Sequence, residues 1–336
     1  MAETKAAKVY VTRELPSAAL DLLAEAVTIR VWPGELPPPP EVLLAEAADV
    51  DALLTLLTDR IDAAIMSAAP RLRVISNMAV GYDNIDVEEA SRRGILVTNT
   101  PGILIKTTAD FAFALLLAAA RRVVEADRYT RQGRWKTWGP QTLLGQDVHD
   151  ATLGVVGLGG VGLEVAKRGR GFGMRVLYCD GIRKLEEERR YGLVYVELEQ
   201  LLAESDFISL HVPLTSETHH LVGERELSLM KPTAVLINTA RGPVVDQRAL
   251  WRFLEERRIA AAAIDVSEEE PIAPDDPLLG LDNIIITPHI ASASVATRLS
   301  MAKIAVDNLL TALRGQVPPQ CVNREAVRRW RRALPR

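Results

Sequence analysis

The segment from 151 to 180, ATLGVVGLGGVGLEVAKRGRGFGMRVLYCD, constrains the fold more than any other part of the sequence. An apolar run leads into three glycines spaced as Gly157-x-Gly159-x-x-Gly162, a helical pattern follows, and a second apolar run ends at Asp180. Two strands joined through a helix lie parallel in one sheet, because so long a crossover is not a hairpin. The segment therefore predicts a strand, a tight glycine turn, a helix and a second strand.

Each glycine of this turn has its own physical task. Gly157 permits the tight turn, Gly159 lets a pyrophosphate approach the backbone, and Gly162 lets helix and strand pack closely, while the helix amino terminus offers N–H groups to phosphates. Asp180 is placed to accept hydrogen bonds from the adenosine ribose and to repel a 2′-phosphate. We therefore expect a dinucleotide site that prefers NAD, with NADP kept open by Arg183, three residues further on.

Strand-like and helical patterns alternate along the rest of the chain. Near-continuous apolar strands spaced by helices are typical of parallel sheets covered on both faces. Four strand-like runs precede residue 100 and six follow residue 150, so we predict an α/β fold of two doubly wound parallel-sheet domains, a Rossmann-type cofactor domain and a flavodoxin-like substrate domain. One long helical pattern starts at about Lys106, and a second, from Ser292 to about Arg314, returns the chain toward its beginning. The predicted domains are a discontinuous substrate domain, 1–101 and 291–336, and an NAD-binding domain, 102–290.

Composition excludes several classes of protein. The 336 residues suffice for two cores, and 48% hydrophobic with 25% charged residues is ordinary for a soluble globular chain. A net charge of -4 gives no nucleic-acid footprint. The two cysteines lack a CxxC spacing, the amino terminus lacks the apolar region of a signal peptide, and the longest apolar run, FAFALLLAAA, is about half of what a bilayer requires. We expect a cytoplasmic protein without a metal, a nucleic-acid partner or membrane contact.

Six stretches of the sequence together form a recognisable pattern. They are NMAVGYDNIDVEEASRRGILVTNTPGILIKTTADFAFALLLAAARR, GRWKTWGPQTLLGQDVHDATLGVVGLGGVG, HVPLTSETHHLV, LINTARGPVVD, AIDVSEEEP and ITPHIASAS. In the same order as in the family, these stretches resemble the D-isomer-specific 2-hydroxyacid dehydrogenases, in particular their glyoxylate and hydroxypyruvate reductase branch. The resemblance covers most of the chain from about 70 to 295 and is weak before that.

The resemblance implies three catalytic residues, Arg241, Glu270 and His289. His289 would take the hydroxyl proton of a 2-hydroxy acid, or return it during reduction. Glu270 would hold the other ring nitrogen and favour the imidazolium, and the planar fork of Arg241 would bridge the substrate carboxylate and the C2 oxygen. All three follow strands of one predicted sheet, at the edge where open α/β folds bind ligands. Taken alone, His289 could be a structural strand-end histidine and Arg241 a surface partner of any acid.

Further site residues follow from the same resemblance. Asp265 would hold the nicotinamide carboxamide, Thr108 would lie near the cofactor, and Val212 with Pro213 would lie beside the adenine. The backbone N–H groups of Val80 and Gly81 would hold the substrate carboxylate. The full set of cofactor residues is Thr108, Gly157, Gly159, Gly160, Val161, Gly162, Asp180, Val212, Pro213, Thr218, Thr239, Ala240 and Asp265, and the substrate residues are Val80, Gly81, Trp138, Arg241 and His289.

Some residues depart from the family pattern or stay outside it. Lys106 stands where relatives usually carry an acid, and Gly160 replaces a common Arg. We expect the remaining histidines to be structural or solvated, and the two acids that precede Glu270 to be solvated. These residues are His149, His211, His219, His220, Glu268 and Glu269.

The segment GRWKTWGPQTLLGQDV, 133 to 148, carries Trp135 and Trp138 between a long helix and the strand before the glycine turn. Exposed aromatics of this kind commonly mark an interface, and relatives dimerise through this region. We predict a homodimer in which Trp138 reaches toward the neighbour's substrate cleft. The alternative is that both tryptophans pack beneath their own domain.

The function that these patterns favour is an NAD-dependent oxidoreductase acting on the CH–OH group of 2-hydroxy acids, reducing a small 2-oxo acid such as glyoxylate or hydroxypyruvate. Phosphite dehydrogenase shares the scaffold, but its lysine stands where this chain has Ala79 or Val80. Formate dehydrogenase lacks the Glu partner. An NAD-sensing corepressor keeps a similar triad but usually carries a long disordered tail, which we do not expect here. Phosphite dehydrogenase and a corepressor-like binding protein remain the alternatives.

Overall fold

Strands and helices alternate along most of residues 7–334, which the computed structural model describes. The chain divides into two units. The first takes in the chain up to Leu104 and again from Ser294, and the second runs from Ile105 to Ala293. The sequence placed these crossings after 101 and after 290.

The first unit is built on a five-stranded parallel sheet. Its strands are β1 (Lys8–Val11), β2 (Thr28–Val31), β3 (Ala52–Thr55), β4 (Val74–Asn77) and β5 (Leu96–Thr98). They lie in the order β2-β1-β3-β4-β5, the flavodoxin-like order. Its helices are α1 (Ser17–Ala24), α2 (Pro40–Ala47), α3 (Ala63–Ala68), α4 (Val87–Arg93), α12 (Val295–Leu313) and α13 (Val327–Ala333), with a 3-10 turn at Arg324–Ala326.

Helices cover both faces of this sheet because its central strands are apolar on both sides. Every residue of β3 and of β4 is buried. The long helix α12 packs against β3, β4 and β5 and against α1, and α2 packs with α3. The hydroxyl of Ser294 accepts a hydrogen bond from the N–H of Thr297 at 3.2 Å, which caps the amino end of α12. The helix that the sequence placed from Ser292 to about Arg314 is thus α12.

The second unit is built on a seven-stranded parallel sheet. Its strands are β6 (Thr152–Val156), β7 (Arg175–Cys179), β8 (Val194–Tyr195), β9 (Phe207–Leu210), β10 (Val235–Asn238), β11 (Ala261–Ile264) and β12 (Ile284–Ile286). The order β8-β7-β6-β9-β10-β11-β12 is the Rossmann order with one strand added, and it reverses between β6 and β9. Its helices are α5 (Ile105–Ala120), α6 (Val123–Arg131), α7 (Gly160–Gly171), α8 (Leu185–Tyr191), α9 (Leu198–Glu204), α10 (Glu224–Leu229) and α11 (Gln247–Glu255), with 3-10 turns at Gly242–Val244 and Pro277–Gly280.

Two cores lie on the two faces of this sheet. Along β9, successive side chains point to opposite faces, so Phe207 packs in one core while Ile208 and Leu210 pack in the other. Both faces are therefore apolar, as the near-continuous hydrophobic runs of the sequence predicted. The prediction of two doubly wound parallel-sheet domains is confirmed.

The long helical pattern that starts at about Lys106 is two helices, which corrects the prediction of one. Helix α5 ends at Ala120 and α6 begins at Val123, because Arg122 has a left-handed backbone with φ of 53°. Two nitrogens of its guanidinium bind Glu125, at 2.8 and 2.7 Å. Helix α5 buries one face, whereas α6 has no buried residue.

Helix α5 carries the longest apolar run of the chain. It has 16 residues, and it packs against α7, β10 and β11 of its own unit. Within residues 7–334, no helix combines the length and apolar character needed to cross a membrane.

Candidate active site

Three neighbouring strands of the second unit end at one edge of the sheet and are followed by several of the residues singled out in the sequence. Asn238 of β10 lies beside Ile264 of β11, which lies beside Ile286 of β12. The residues that follow these strands are therefore brought to the same edge. They are Thr239, Ala240 and Arg241 after β10, Asp265 after β11, and His289 after β12.

His289 and Glu270 form a hydrogen-bonded pair at this edge. Nδ1 of His289 lies 2.7 Å from Oε2 of Glu270, and the two side chains are 28% and 30% exposed. The other carboxylate oxygen of Glu270 accepts a hydrogen bond from the N–H of Ser267 at 3.2 Å. Because Glu270 engages Nδ1, Nε2 is the ring atom of His289 that can exchange a proton with a ligand.

Asp265 holds the loop that carries His289. Its carboxylate, in a residue only 1% exposed, accepts hydrogen bonds from the hydroxyl of Thr287 at 2.6 Å, from the N–H of Ile290 at 2.9 Å and from the N–H of Ala291 at 2.7 Å. The N–H of His289 donates to the backbone oxygen of Asp265 at 2.9 Å. His289 has a left-handed backbone with φ of 54°, which costs a non-glycine residue about 1 kcal/mol, and these contacts offset that cost.

The resemblance assigned Asp265 to the nicotinamide, and the structure gives this residue a second task. A carboxylate has about four acceptor positions. Three of those of Asp265 are used by the loop of His289. One acceptor position remains beside these three hydrogen bonds, and the contact with the nicotinamide stays a prediction. The sequence did not reveal the contact with the His289 loop.

The loop of Arg241 packs directly against the loop of Glu270. A Cβ atom at Gly242 would lie 1.9 Å from the backbone oxygen of Ser267, so only glycine fits there. Arg241 is half-buried, and its Nη1 donates to the oxygen of Ala240 at 2.8 Å. The side chain of Asn238 donates to the backbone oxygen of Arg241 at 2.9 Å and accepts from the N–H of Ala240 at 3.0 Å. The position of Arg241 is thus tied to that of Glu270.

The glycine turn after β6 forms a cradle that fits a pyrophosphate. Gly157 has φ of 91°, and a Cβ at Gly162 would lie 2.0 Å from the oxygen of Gly157. A Cβ at Gly159 would meet nothing within 4 Å, so the backbone there is open to a phosphate at the amino end of α7. Val161 lies in the first turn of this helix. A nicotinamide dinucleotide fits the cradle.

Gly160, where relatives commonly carry Arg, faces α5. A Cβ at this position would lie 2.6 Å from Cδ1 of Ile105. A larger residue at 160 therefore requires the side chain of Ile105 to move. The neighbouring Lys106 is exposed, and Thr108 is buried on the same helix, which packs against α7.

Asp180 links the glycine turn to the end of β7. Its Oδ2 accepts from the N–H of Leu158 at 2.7 Å, and its Oδ1 accepts from the N–H of Ile182 at 3.0 Å. Arg183 donates to both oxygens of Glu188, at 2.8 and 3.0 Å. The Arg183 guanidinium holds the pKa of the Glu188 carboxyl below its usual range. The cation nearest in sequence to Asp180 is thus engaged by an acid.

The turn after β9 carries Val212, Pro213 and Thr218. The hydroxyl of Thr218 donates to the oxygen of Pro213 at 2.5 Å and accepts from the N–H of Thr215 at 2.8 Å, which closes the turn. His211 precedes it, with Nε2 2.8 Å from the hydroxyl of Ser209. Burial lowers the pKa of His211 to about 3. His211 is therefore neutral near pH 7 and does not supply a proton there.

Val80 and Gly81 lie in the first unit, in the turn after β4. The N–H of Thr100 donates to the oxygen of Ala79 at 2.8 Å, and the side chain of Asn99 donates to the oxygen of Val80 at 2.7 Å. The side chain of Asn77 donates to the oxygen of Gly81 at 3.0 Å. Three successive carbonyl groups are thus held, so the turn that was expected to bind a carboxylate is fixed in place.

The structure bears on two interpretations of side chains made from the sequence. The alternative in which both tryptophans pack beneath their own domain is wrong, because Trp135 is 62% exposed and Trp138 is 79% exposed. Glu268 is exposed, as expected, but its Oε1 also lies 2.8 Å from Nε2 of His220. Neither His220 nor Glu268 was assigned to the site from the sequence.

Known proteins can be aligned with nearly the whole chain. Residues 113–291 match the family described as D-isomer specific 2-hydroxyacid dehydrogenase, NAD binding domain. A glyoxylate reductase of Korarchaeum cryptofilum is 56% identical over 322 residues, which cover 96% of this chain and 97% of that protein. A glyoxylate reductase of Aeropyrum pernix is 53% identical over 328 residues, covering 96% and 98%. The solved structure of the TT0316 protein of Thermus thermophilus is 47% identical, with a TM-score of 0.89 over 94% of this chain and 99% of that one.

Proposed function

The chain belongs to the D-isomer-specific 2-hydroxyacid dehydrogenase family, and from that premise we propose that it reduces glyoxylate or hydroxypyruvate to the corresponding 2-hydroxy acid. Membership makes it an oxidoreductase that acts on 2-hydroxy acids with a nicotinamide cofactor. The observation that carries the proposal is the 2.7 Å contact between Nδ1 of His289 and Glu270, which leaves Nε2 to serve the substrate. The names of the two glyoxylate reductases support the choice of substrate.

His289 is the proposed proton donor of the reduction. Reduced nicotinamide, when bound, supplies a hydride to C2 of the 2-oxo acid. The C2 oxygen then needs a proton, and Nε2 of a protonated His289 gives it. Glu270 keeps the proton on Nδ1 and balances the charge of the imidazolium. In the reverse direction, neutral His289 takes the proton of the hydroxyl group.

Arg241 and the turn at Val80 and Gly81 are the proposed binding groups for the substrate. The planar guanidinium of Arg241 matches a carboxylate or a carboxylate beside a carbonyl oxygen, and it favours the negative charge that grows on that oxygen. Backbone N–H groups of Val80 and Gly81 would bind the carboxylate. The held carbonyl groups of that turn support this role, because a fixed turn need not reorganise on binding.

NADH is the proposed cofactor, in preference to NADPH. The carboxylate of Asp180 follows β7, where it would bind the ribose hydroxyls and repel a 2′-phosphate. Arg183, which would otherwise attract that phosphate, donates to both oxygens of Glu188. Both observations favour the cofactor without the extra phosphate.

A substrate panel tests this proposal. Glyoxylate, hydroxypyruvate, pyruvate and 3-phosphohydroxypyruvate are each assayed with NADH and with NADPH, and phosphite is assayed with NAD⁺. We expect glyoxylate or hydroxypyruvate with NADH to give the highest kcat/KM. Reduction of NAD⁺ by phosphite would instead make the chain a phosphite dehydrogenase. Tight NADH binding without turnover of any 2-oxo acid would support the corepressor-like alternative.

A homodimer is the proposed assembly, formed around α6 and the segment after it. Helix α6 has no buried residue, and Trp135, Trp138 and Leu144 are exposed. A groove of about 580 Å³ lies between α6 and the amino ends of β10, β11 and β12, at the edge of the sheet opposite to His289. A second copy of this chain would cover these surfaces, and Trp138 of one copy would reach the substrate cleft of the other.

Sedimentation of the parent protein and kinetics of Trp138→Ala test the assembly. We expect a dimer in both, and a Trp138→Ala variant that accepts larger 2-oxo acids. A monomeric parent protein would contradict the dimer. An unchanged order of substrates in a dimeric variant would contradict the position of Trp138.

A further inference from the structure

His220 and Glu268 form a second histidine–carboxylate pair next to the first. Nε2 of His220 lies 2.8 Å from Oε1 of Glu268, and the two side chains are 39% and 35% exposed. His220 lies in the segment after β9, and Glu268 follows β11, two residues before Glu270. This pair joins the loop after β9 to the loop after β11. The proposed catalytic mechanism gives neither His220 nor Glu268 a role.

The backbone around His220 is tied to the segment that follows Arg241. The N–H of His220 donates to the oxygen of Pro243 at 2.7 Å, and the N–H of Val222 donates to the oxygen of Val244 at 3.1 Å. The N–H of Asp246 donates back to Val222 at 3.1 Å. His220 has a left-handed backbone with φ of 51°, so its side chain projects from a sharp turn of the chain. His220 is thus anchored on the loop of Arg241.

Glu268 is tied to the same region through Gln247, the first residue of α11. Its Oε1 accepts from the N–H of Gln247 at 3.1 Å, and its own N–H donates to Oε1 of Gln247 at 2.9 Å. The amide of Gln247 also donates to Asp276 at 2.7 Å. One carboxylate oxygen of Glu268 therefore binds both His220 and the start of α11.

A displacement of Glu268 reaches Glu270 through Ser267. The N–H of Ser267 donates to Oε1 of Glu270 at 3.2 Å, and its hydroxyl donates to the oxygen of Glu269 at 2.6 Å. Gly242 lies so close beneath Ser267 that neither loop can shift toward the other. The geometry points to a brace, defined as the His220–Glu268 pair, that positions Glu270 against His289 by joining the Arg241 and Glu270 loops. The inference rests on the proposed function.

The brace acts on geometry more than on stability. A partly exposed histidine–carboxylate pair contributes little to folding, because water screens it. A hydrogen bond between an acid and its histidine weakens steeply when its angle or length changes, and small misplacements of catalytic groups reduce kcat. His220 and Glu268 are therefore positioning residues, whose loss lowers kcat and weakens the hold of Glu270 on His289 while the protein stays folded.

The test uses two variants, their combination and a matched control. Glu268→Gln removes the charge of the brace, and His220→Asn removes its imidazole while keeping a residue that tolerates a left-handed backbone. Glu269→Gln is the control, because it removes the same charge one position further on from an exposed residue. We expect kcat for glyoxylate to fall about 3- to 10-fold in either variant, with the KM for NADH and the Tm unchanged. The kcat of the double variant should be no lower than that of the more impaired single variant, because the two residues act as one pair.

Titration of His289 by proton NMR gives a readout that needs no turnover. The chain has five histidines, and the His289 resonance is identified by its loss in His289→Asn. We expect the pH midpoint of this resonance to fall in Glu268→Gln and to stay in place in Glu269→Gln. The brace would be overturned if Glu268→Gln left both the midpoint and kcat unchanged. It would also be overturned if the losses of kcat in the two single variants multiplied in the double variant, or if kcat and Tm fell together. A parent protein that reduces no 2-oxo acid would overturn the proposed function, and the titration would still decide on the brace.

Discussion

The glycine turn at 157–162 and the loops that carry Arg241, Glu270 and His289 lie at the same edge of one sheet, yet they are built in different ways. The turn is local, since a side chain at Gly162 would collide with the oxygen of Gly157 five positions earlier. The catalytic loops depend on contacts between distant positions, such as Asp265 with the N–H groups of Ile290 and Ala291. A local turn can be recognised from residue spacing, whereas loops held by distant contacts require a known sheet order.

Substitutions in the glycine turn and in the loops of Arg241, Glu270 and His289 should impair different properties of the protein. A change in the glycine turn should weaken cofactor binding, because the turn contacts only the phosphates in the proposed complex. A change at His289 or Glu270 should weaken proton transfer and leave cofactor binding intact. Kinetics and cofactor titration of variants in the two regions therefore distinguish a loss of cofactor binding from a loss of proton transfer.

The largest effect is expected for His289→Asn. Asn tolerates the left-handed backbone of this position, so the substitution removes the proton donor without the strain that Ala would introduce. We expect kcat for reduction to fall at least about 100-fold, while the affinity for NADH changes by less than about twofold. Steady-state kinetics and titration of NADH fluorescence measure the two quantities. A loss of NADH affinity as large as the loss of kcat would place His289 in the cofactor site and remove the distinction.

The next effect separates two glycines of one turn. Gly162→Ala places a methyl group 2.0 Å from the oxygen of Gly157, so the turn must open. We expect the free energy of unfolding to fall by about 1–3 kcal/mol, and NADH affinity to fall more than about tenfold. Gly159→Ala meets nothing within 4 Å, so its Tm should match that of the parent protein, with NADH affinity about tenfold lower.

The contrast between the two glycines is decided by thermal unfolding and NADH titration on the same samples. Saturating NADH should restore kcat in Gly159→Ala. If Gly159→Ala binds NADH as the parent protein does, no phosphate approaches the backbone at that position, and the cradle has been misassigned.

The sequence predicted those parts of the fold that depend on local pattern. The glycine turn and the apolar strands of both sheets could be predicted from spacing and hydrophobic runs. The edge strands β2 and β8 were not, because β2 alternates exposed and half-buried residues and β8 has two residues only. The break between α5 and α6 at Arg122 could not be predicted either, since a left-handed backbone is not typical of an arginine.

The candidate site divides in the same way. Arg241, Glu270 and His289 could be proposed because the motifs around them resemble a family, and the strand order explains why the loops that carry them lie at one edge of the sheet. The hold of Asp265 on the His289 loop and the pairing of His220 with Glu268 could not be predicted. Both depend on the conformation of loops far apart in sequence, which residue type and spacing do not determine.

A smaller effect, on pH dependence, is expected for Glu270→Gln. In the proposed mechanism, reduction needs protonated His289, and the negative charge of Glu270 favours that form. A neutral Gln removes this charge, so the protonated form survives only to a lower pH. We expect the alkaline limb of reduction to move to lower pH, because the carboxylate of Glu270 lies 2.7 Å from Nδ1 of His289 and both side chains are only about 30% exposed. The oxidation of glycolate, which needs neutral His289, should extend to lower pH.

The pH profile of kcat in both directions measures this shift. His211 does not contribute to it, because burial lowers its pKa to about 3. Glu269→Gln is again the matched control and should leave the profile in place. A shift toward higher pH, or none, would show that Glu270 does not act on His289 through its charge.

The smallest effect is expected at the junction of the two kinds of structure, where Asp180 binds the N–H of Leu158 in the glycine turn. Asp180→Asn keeps the shape and one acceptor oxygen but removes the charge that repels a 2′-phosphate. In water such a repulsion amounts to about 1 kcal/mol, so we expect kcat/KM for NADPH relative to NADH to rise about fivefold. The Tm should fall slightly, because the N–H of Leu158 or of Ile182 loses its acceptor. Glu188→Gln should raise the ratio further in the same background, because it releases Arg183 from its two hydrogen bonds. Parallel assays of both cofactors decide. A parent protein that uses NADPH as well as NADH, or a ratio that Asp180→Asn leaves unchanged, would show that cofactor choice is not made at this carboxylate.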